Sequence, residues 1–277
     1  MIIDVSIHNG GIDWAKVKES GVEGAIIRCG YGRDLTRQDD SRFKANIEGA
    51  LAQGLRVGVY LYSYAKTEES ARSEAAHVLR LIYPYKEKLS LPVYYDLEEP
   101  GTEKGAKERA LIFGDIIEKS GLWCGIYASL SWWTTDLHGL DRFTKWVACW
   151  GKNNGKPDVK PNVKGLDLWQ YTSKGKVDGI NGFVDLNELL RPSIGGYINP
   201  NKPQKEEAKP IETPKEEPKP IQTAPQYIEY KIKKGDTLGK IAKAYKTTTK
   251  AIKAANPNKI KDINKIYAGD IIKIPVK

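Results

Sequence analysis

Four acidic residues, Asp4, Asp96, Glu98 and Asp185, lie in or beside apolar segments that read as strands. An unpaired charge in such a place costs roughly several kcal/mol or shifts its pKa, so each needs a reason. Asp96 and Glu98 stand two apart in Leu91-Pro-Val-Tyr-Tyr-Asp-Leu-Glu98, which puts both on one side of a strand and Leu97 on the other. Carboxylates gathered at one opening push their pKa values apart, so that one keeps its proton while another stays ionised. Glycoside hydrolysis needs that division of labour. The competing reading is structural, each carboxylate being a strand-end group satisfied by arginine or backbone N–H. A metal site is the other competitor. The three histidines, His8, His77 and His138, are scattered, which disfavours zinc, and an all-oxygen set would suit Mg or Ca. We assign no metal and no cofactor.

The elements that must position these groups follow from the apolar pattern. Strand-like runs fall at 2–7, 24–29, 56–63, 92–98, 124–128, 145–149, 167–171 and 183–186. Helical periodicity falls near 13–20, 40–53, 68–82, 104–120 and 130–138, clearest where Ala106, Ala110, Leu111, Phe113 and Ile117 share one side. Blocks such as Gly24-Ala-Ile-Ile-Arg-Cys29 are apolar without alternation, which suits parallel strands covered on both faces. Eight strands with fewer helices predict an α/β chain folded as a modified, TIM-like (β/α) barrel whose working face is the C-terminal ends of its strands. On closure Asp4, on the first strand, and Asp185, on the eighth, become neighbours. Arg28 is then placed either to pair with Asp4 and keep it ionised or to make a structural salt bridge. His8 reads as a solvated loop residue. Cys29, Cys124 and Cys149 read as buried, reduced thiols.

A change of composition marks the end of this unit. Residues 200–225 hold seven Pro with five Lys and five Glu and few apolar groups, a stretch that cannot bury a core and predicts an extended spacer. We divide the chain into a barrel over 1–195, a Pro/Lys/Glu linker over 196–226 and a small βααβ module over 227–277. All of the net charge of +9 sits in residues 226–277, which hold 13 Lys/Arg and four Asp/Glu. Such charge attracts nucleic acid, anionic membranes or anionic wall polymers. All seven Trp lie in the first 170 residues, a concentration that fits both a sugar-stacking cleft and ordinary core packing. No run approaches the roughly 18 apolar residues of a membrane span, and Met1-Ile-Ile-Asp-Val5 reads as a strand instead of a secretory leader. We therefore expect no membrane insertion.

The order and spacing of several motifs resemble a known family. Asp4-Val-Ser, Gly11-Ile-Asp-Trp14, Tyr94-Tyr-Asp-Leu-Glu98, Trp146-Val-Ala-Cys-Trp-Gly151, Trp169-Gln-Tyr171 and Val184-Asp-Leu-Asn187 look like glycoside hydrolase family 25, the Chalaropsis-type lysozymes of phages and bacteria. The resemblance covers about residues 1–190. It implies hydrolysis of the β-1,4 bond between N-acetylmuramic acid and N-acetylglucosamine, with Glu98 as general acid. Asp96, Asp4 and Asp185 would orient the N-acetyl group or stabilise the oxocarbenium-like transition state. Tyr62 and Tyr127, near the ends of strands three and five, are expected to line the cleft with Arg28, Trp150, Trp169 and Gln170. Trp150 stands where many relatives carry Tyr. Trp123, Trp132 and Trp133 read as packing residues.

The tail resembles LysM through Tyr230-Lys-Ile-Lys-Lys-Gly-Asp-Thr-Leu238, Ala255-Asn-Pro257 and Tyr267-Ala-Gly-Asp-Ile-Ile-Lys-Ile-Pro275. That implies binding of N-acetylglucosamine-containing glycan in a shallow groove. By position the groove would use Gly235, Asp236, Thr237, Leu238, Asn256, Pro257 and Ile260, mostly through backbone groups. The implied partner is bacterial peptidoglycan. No nucleic-acid fold accompanies the basic tail, so nucleic acid is not expected. The absent leader suggests synthesis in a host cytoplasm and holin-type release to the wall. The alternative is a wall-binding protein with a degenerate, non-catalytic barrel.

Overall fold

The computed structural model of the protein describes residues 1–198 without a break and, in the C-terminal part, residues 226–232, 236–245, 247–256, 259–260, 262, 266–267 and 269–276. The chain divides into two compact units, Met1–Lys205 and Glu206–Lys277.

In the first unit eight strands close into a barrel in chain order. They are β1 (Ile2–Val5), β2 (Gly24–Tyr31), β3 (Arg56–Tyr62), β4 (Val93–Asp96), β5 (Cys124–Ser129), β6 (Thr144–Ala148), β7 (Leu166–Gly175) and β8 (Val184–Leu189). Five helices fill the early connections: α1 (Trp14–Glu19), α2 (Phe43–Ala52), α3 (Glu68–Ile82), α4 (Ala106–Lys119) and α5 (Leu130–Thr135). None follows β6 or β7, so the last part of the wall is built from loops and a hairpin. The expectation of parallel strands holds from β1 to β7. It fails at β8, which runs antiparallel to both β7 and β1. The eight residues between β7 and β8 are too few for the helical crossover that a parallel partner requires, so the chain turns back as a hairpin. This reversal carries Asp185, at the start of β8, to the same level as Asp4, at the end of β1, and the two are paired in register.

The unbroken apolar blocks are explained by burial on both sides. Ile3, Val5, Ile27, Val57, Val59, Leu61, Tyr95, Ile126 and Val147 face the helices. Ile2, Ile26, Tyr94, Tyr127, Trp146 and Leu168 fill the barrel interior. Helix α4 presents Ala106, Ala110, Phe113 and Ile117 to the sheet, where Phe113 stacks on Tyr95 at 4.0 Å between ring centres. Burial of each such large side chain stabilises the fold by about 1.5–3 kcal/mol. Helix α3 begins at a capping box in which Thr67 accepts from Ser70 N and Ser70 reaches back to the Thr67 backbone. The barrel interior is crowded by aromatics, and Gly125 makes room for one of them: a Cβ there would overlap the Tyr94 ring. Gly125→Ala should therefore destabilise the protein by about 1–3 kcal/mol, read as a lower thermal midpoint. An unchanged midpoint would mean that the interior is loosely packed.

Two boundaries differ from those expected. Residues 196–198, assigned to the linker, are hydrogen-bonded beneath the barrel: Trp123 N donates to Gly196 O, Tyr197 N to Leu89 O and Ile198 N to Gly121 O, at 2.7, 3.1 and 2.8 Å. Gln226, also assigned to the linker, begins a strand. The cysteines are free, with Cys29 and Cys124 buried and Cys149 only half-buried.

The second unit is a βααβ fold of β9 (Gln226–Lys231), α6 (Leu238–Ala244), α7 (Thr249–Ala255) and β10 (Ile271–Val276), with β9 and β10 antiparallel. Thr237 and Thr248 cap the two helices, accepting from Lys240 N and Ala251 N. Its separate core includes Ile232, Leu238, Ile241, Ile252, Ile260, Ile272 and Ile274.

Candidate active site

At the C-terminal ends of β1 and β3–β7 a pocket of about 210 Å³ is lined by Asp4, Tyr60, Asp96, Glu98, Tyr127, Trp146, Trp150, Gln170 and Asp185. All four acidic residues singled out from the sequence meet there. The volume is below that of most pockets that enclose a whole small ligand, and suits one that admits part of a longer chain. No Lys or Arg lines it.

Strand alternation explains which side chains enter. On β4, Tyr94 and Asp96 point inward while Tyr95 and Leu97 pack against the helices. Gln170 on β7 enters the pocket, and Trp169 beside it faces the other way, its indole N–H donating to Cys149 O at 2.8 Å. Trp169 is thus a packing residue, not part of the cleft wall expected for it. A similar correction applies to Tyr62. Its hydroxyl donates to Glu99 Oε2 at 2.9 Å and it lines a neighbouring cavity, while Tyr60, one inward position earlier on β3, reaches the acidic pocket. Arg28 does not pair with Asp4. Its Nε lies 2.8 Å from Asp40 Oδ2, a fully buried carboxylate also held by Ile7 N and Arg42 N. The β2–β3 register shift between Arg28 and Gly30 accompanies this turn away from β1. His8 is exposed, as expected of a loop residue.

Asp4 is held by a network whose directions are fixed by donors that cannot accept. Trp146 Nε1 donates to Asn187 Oδ1 at 2.7 Å, so the Asn187 amide must present its N–H side to Asp4 Oδ2, at 2.8 Å. Trp150 Nε1 and Tyr127 OH donate to Gln170 Oε1 at 2.9 and 3.0 Å, so Gln170 Nε2 also donates to Asp4 Oδ2, at 3.1 Å. With two N–H groups on Oδ2, any proton on Asp4 sits on Oδ1. Asn187 and Trp146 stand in motifs of the sequence that do not by themselves reveal this role. The signal for Asn187 was its place two after Asp185, on the same face of β8. Tyr60 had no signal beyond its position two before Tyr62.

Burial raises the pKa of every member of the acidic set. Asp4 is pushed well up by desolvation and then by Asp185, against the pull of Asn187 and Gln170. Asp96 is pushed well up by desolvation, then by Glu98 and Asp4, with Arg28 pulling the other way. Its Oδ1 is sealed from solvent and has no hydrogen-bond partner. Glu98 reaches solvent at the rim, yet desolvation of its carboxyl still raises it, with Tyr127 lowering it and Glu99 adding to the rise. Asp185 is raised to about 6 by desolvation and by Glu98. Burial also raises Tyr60 and Tyr127 well above the usual phenol range, so both remain O–H groups.

These shifts make the pocket costly to the fold at neutral pH. Asp185 has an unfolded value near 3.8 and a folded value of about 6, so between them the folded chain holds a proton that the unfolded chain has lost. Its contribution to stability therefore falls as pH rises through that window. Asp185→Asn should raise stability at pH 7 by roughly 1–2 kcal/mol, with the gain shrinking below pH 4. Urea unfolding at the two pH values checks this, and an equal gain at both would place the effect outside ionisation.

In the second unit the expected groove residues separate into two kinds. Leu238 and Ile260 are buried in its core, and the Asn256 side chain is used up by Ile252 O, Lys273 O and Lys273 N. These three cannot offer side chains to a glycan, because the βααβ core needs them. Asp236 accepts from Tyr230 OH at 2.8 Å, and Thr237 is exposed at the start of α6. Gly235 and Pro257 lie outside the described residues. Among the described residues no group of His, Cys, Asp and Glu is arranged to hold a metal ion, and no helix is long and apolar enough to cross a membrane.

Comparison with known proteins matches residues 3–180 to the model for glycosyl hydrolases family 25 and residues 230–275 to the LysM domain. An autolytic lysozyme of Clostridium acetobutylicum is 28% identical over 216 residues, covering 76% of this chain and 63% of that protein. Lysozyme M1 of Streptomyces globisporus is 26% identical, covering 68% of this chain and 66% of the other. The chain thus spans just under two thirds of each of these relatives. Among solved structures, the catalytic domain of endolysin ply40, from bacteriophage P40 of Listeria monocytogenes, is 29% identical with a TM-score of 0.60, covering 68% of this chain and 91% of that one.

Proposed function

The chain belongs to glycosyl hydrolases family 25 and carries a LysM domain, and from that premise we propose that it is a muramidase, cleaving the β-1,4 bond from N-acetylmuramic acid to N-acetylglucosamine in peptidoglycan. The observation that carries the reading is the meeting of Asp4, Asp96, Glu98 and Asp185 around one pocket with no cation in its lining. In this mechanism Glu98, at the rim and raised in pKa, gives its proton to the leaving glycosidic oxygen. Asp96, through the part of its carboxyl that lines the pocket, accepts from the acetamido N–H of the sugar, so that the acetamido oxygen can assist at the anomeric carbon. Asp4, locked by Asn187 and Gln170, and Asp185 beside it supply negative potential as positive charge develops on the ring. Once the proton has left, the single Tyr127 O–H swings from Gln170 Oε1 to the Glu98 carboxylate, while Trp150 Nε1 keeps the Gln170 amide in place.

The LysM unit holds the enzyme on glycan, where even a weak contact raises the local concentration of cleavable bonds. In the same reading the protein is made in a cytoplasm and reaches the wall by holin-type release. Analysis of the new reducing ends in a peptidoglycan digest tests the activity. Muramic acid ends are expected, and N-acetylglucosamine ends would make the enzyme a glucosaminidase.

A further inference from the structure

Beside the acidic pocket lies a second cavity of about 660 Å³, at the ends of β1, β2 and β3, to which the mechanism assigns nothing. The two adjoin through shared elements. Tyr60 on β3 lines the first, and Tyr62, two residues on, lines the second. Arg28 lines the second and acts electrostatically on Asp96 in the first.

Their charge is opposite in kind. The acids of the second cavity are already neutralised: Asp40 by Arg28, and Asp39 by Arg80 at 2.7 Å with His77 at 2.8 Å. Arg37 also lines it and, among the described residues, makes no ion pair. The turn that carries Arg37 is fixed, because Tyr31 OH donates to Arg37 O at 3.3 Å, Gln38 N to Leu35 O at 2.8 Å, and Gly30 bridges to Asp39. Tyr31, Tyr62 and Tyr64 supply a connected aromatic wall, with Tyr64 47% exposed, and His8 also lines the cavity. A solvent-facing guanidinium on a fixed turn, beside exposed aromatic rings, suits a flexible ligand that carries a carboxylate.

The proposed substrate has such a part. Muramic acid differs from its neighbour sugar by a 3-O-lactyl group, which carries an anionic peptide in the wall. A sugar seated over four carboxylates cannot direct that peptide across them without repulsion. We propose that the cavity at the ends of β1–β3 receives the peptide stem of the muramyl residue, with Arg37 as the cation that recognises its carboxylate. This makes the enzyme selective for stem-bearing glycan, and it rests on the muramidase reading.

The test compares uncross-linked glycan chains with the same chains after an amidase has removed their stems, using the full-length protein and its Arg37→Gln and Arg37→Lys variants. The parent should show kcat/KM about tenfold higher on stem-bearing chains. Arg37→Gln should bring that ratio close to one while leaving the bare-chain rate unchanged, and Arg37→Lys should recover part of it. An unchanged ratio in Arg37→Gln would overturn the stem assignment. So would an equal loss on both substrates, which would make the cavity a sugar subsite. Cleavage of both chains by the parent in either case leaves the muramidase reading standing, whereas cleavage of neither removes that reading first.

Discussion

Glu98→Gln should lower turnover of peptidoglycan by about 10²–10⁴-fold while leaving retention on walls and the thermal midpoint close to those of the parent. The amide keeps the size of the side chain but cannot release a proton to the departing oxygen. The loss should therefore fall on kcat, with KM little changed. Because Glu98 lies at the rim and reaches solvent, its replacement disturbs no packing, and the Asp4 network is anchored independently by Trp146 and Trp150. A synthetic glycoside whose leaving group needs no protonation separates the proton-donor role from a purely structural one. The variant should recover on that substrate much of what it loses on natural glycan. Residual lysis within tenfold of the parent, or equal loss on both substrates, would move the acid elsewhere.

The second large effect is expected from removing residues 226–277. On insoluble walls at low enzyme concentration the truncated protein should work about 10–100-fold more slowly, and on soluble glycan fragments at the parental rate. The two units have separate cores, so the barrel keeps its own core when the tail is removed. The +9 of these residues adds a second signature. If it draws the protein to anionic wall polymers, raising ionic strength should weaken wall retention of the parent, and the truncated protein should lack that sensitivity. Truncation without effect on intact walls would make the tail dispensable for targeting.

How far the sequence could be read depended on whether a feature lay within one element or between two. Asp96 and Glu98 were legible as a pair because a single strand fixes their common side. The pairing of Asp4 with Asp185 was legible because closure of an eight-stranded barrel makes its first and last strands neighbours. The reversed direction of β8 was not, since an apolar run carries no arrow and the shortness of the preceding connection was the only clue. Arg28 shows the limit most clearly. Adjacent strands left it either a pair with Asp4 or a structural salt bridge; the second is what forms, and its partner, Asp40, comes from the loop after β2 and is buried by contacts no periodicity encodes. Trp169 and Gln170 were both assigned to the cleft although neighbours on a strand face opposite ways, and that error was avoidable from the pleat alone. In the tail, Leu238 and Ile260 were named from a position-by-position likeness, which does not distinguish a groove from the core beneath it.

The direction of β8 also decides where the barrel releases its chain. A parallel last strand would have ended beside the carboxylates. Here residues 190–198 return under the opposite end, tied there by Gly121 and Leu89. Anything attached behind Ile198, whether a reporter, an affinity handle or a bead for immobilisation, therefore starts on the side opposite the acidic pocket. The catalytic unit can be tethered through its carboxyl end without its own anchor obstructing the substrate.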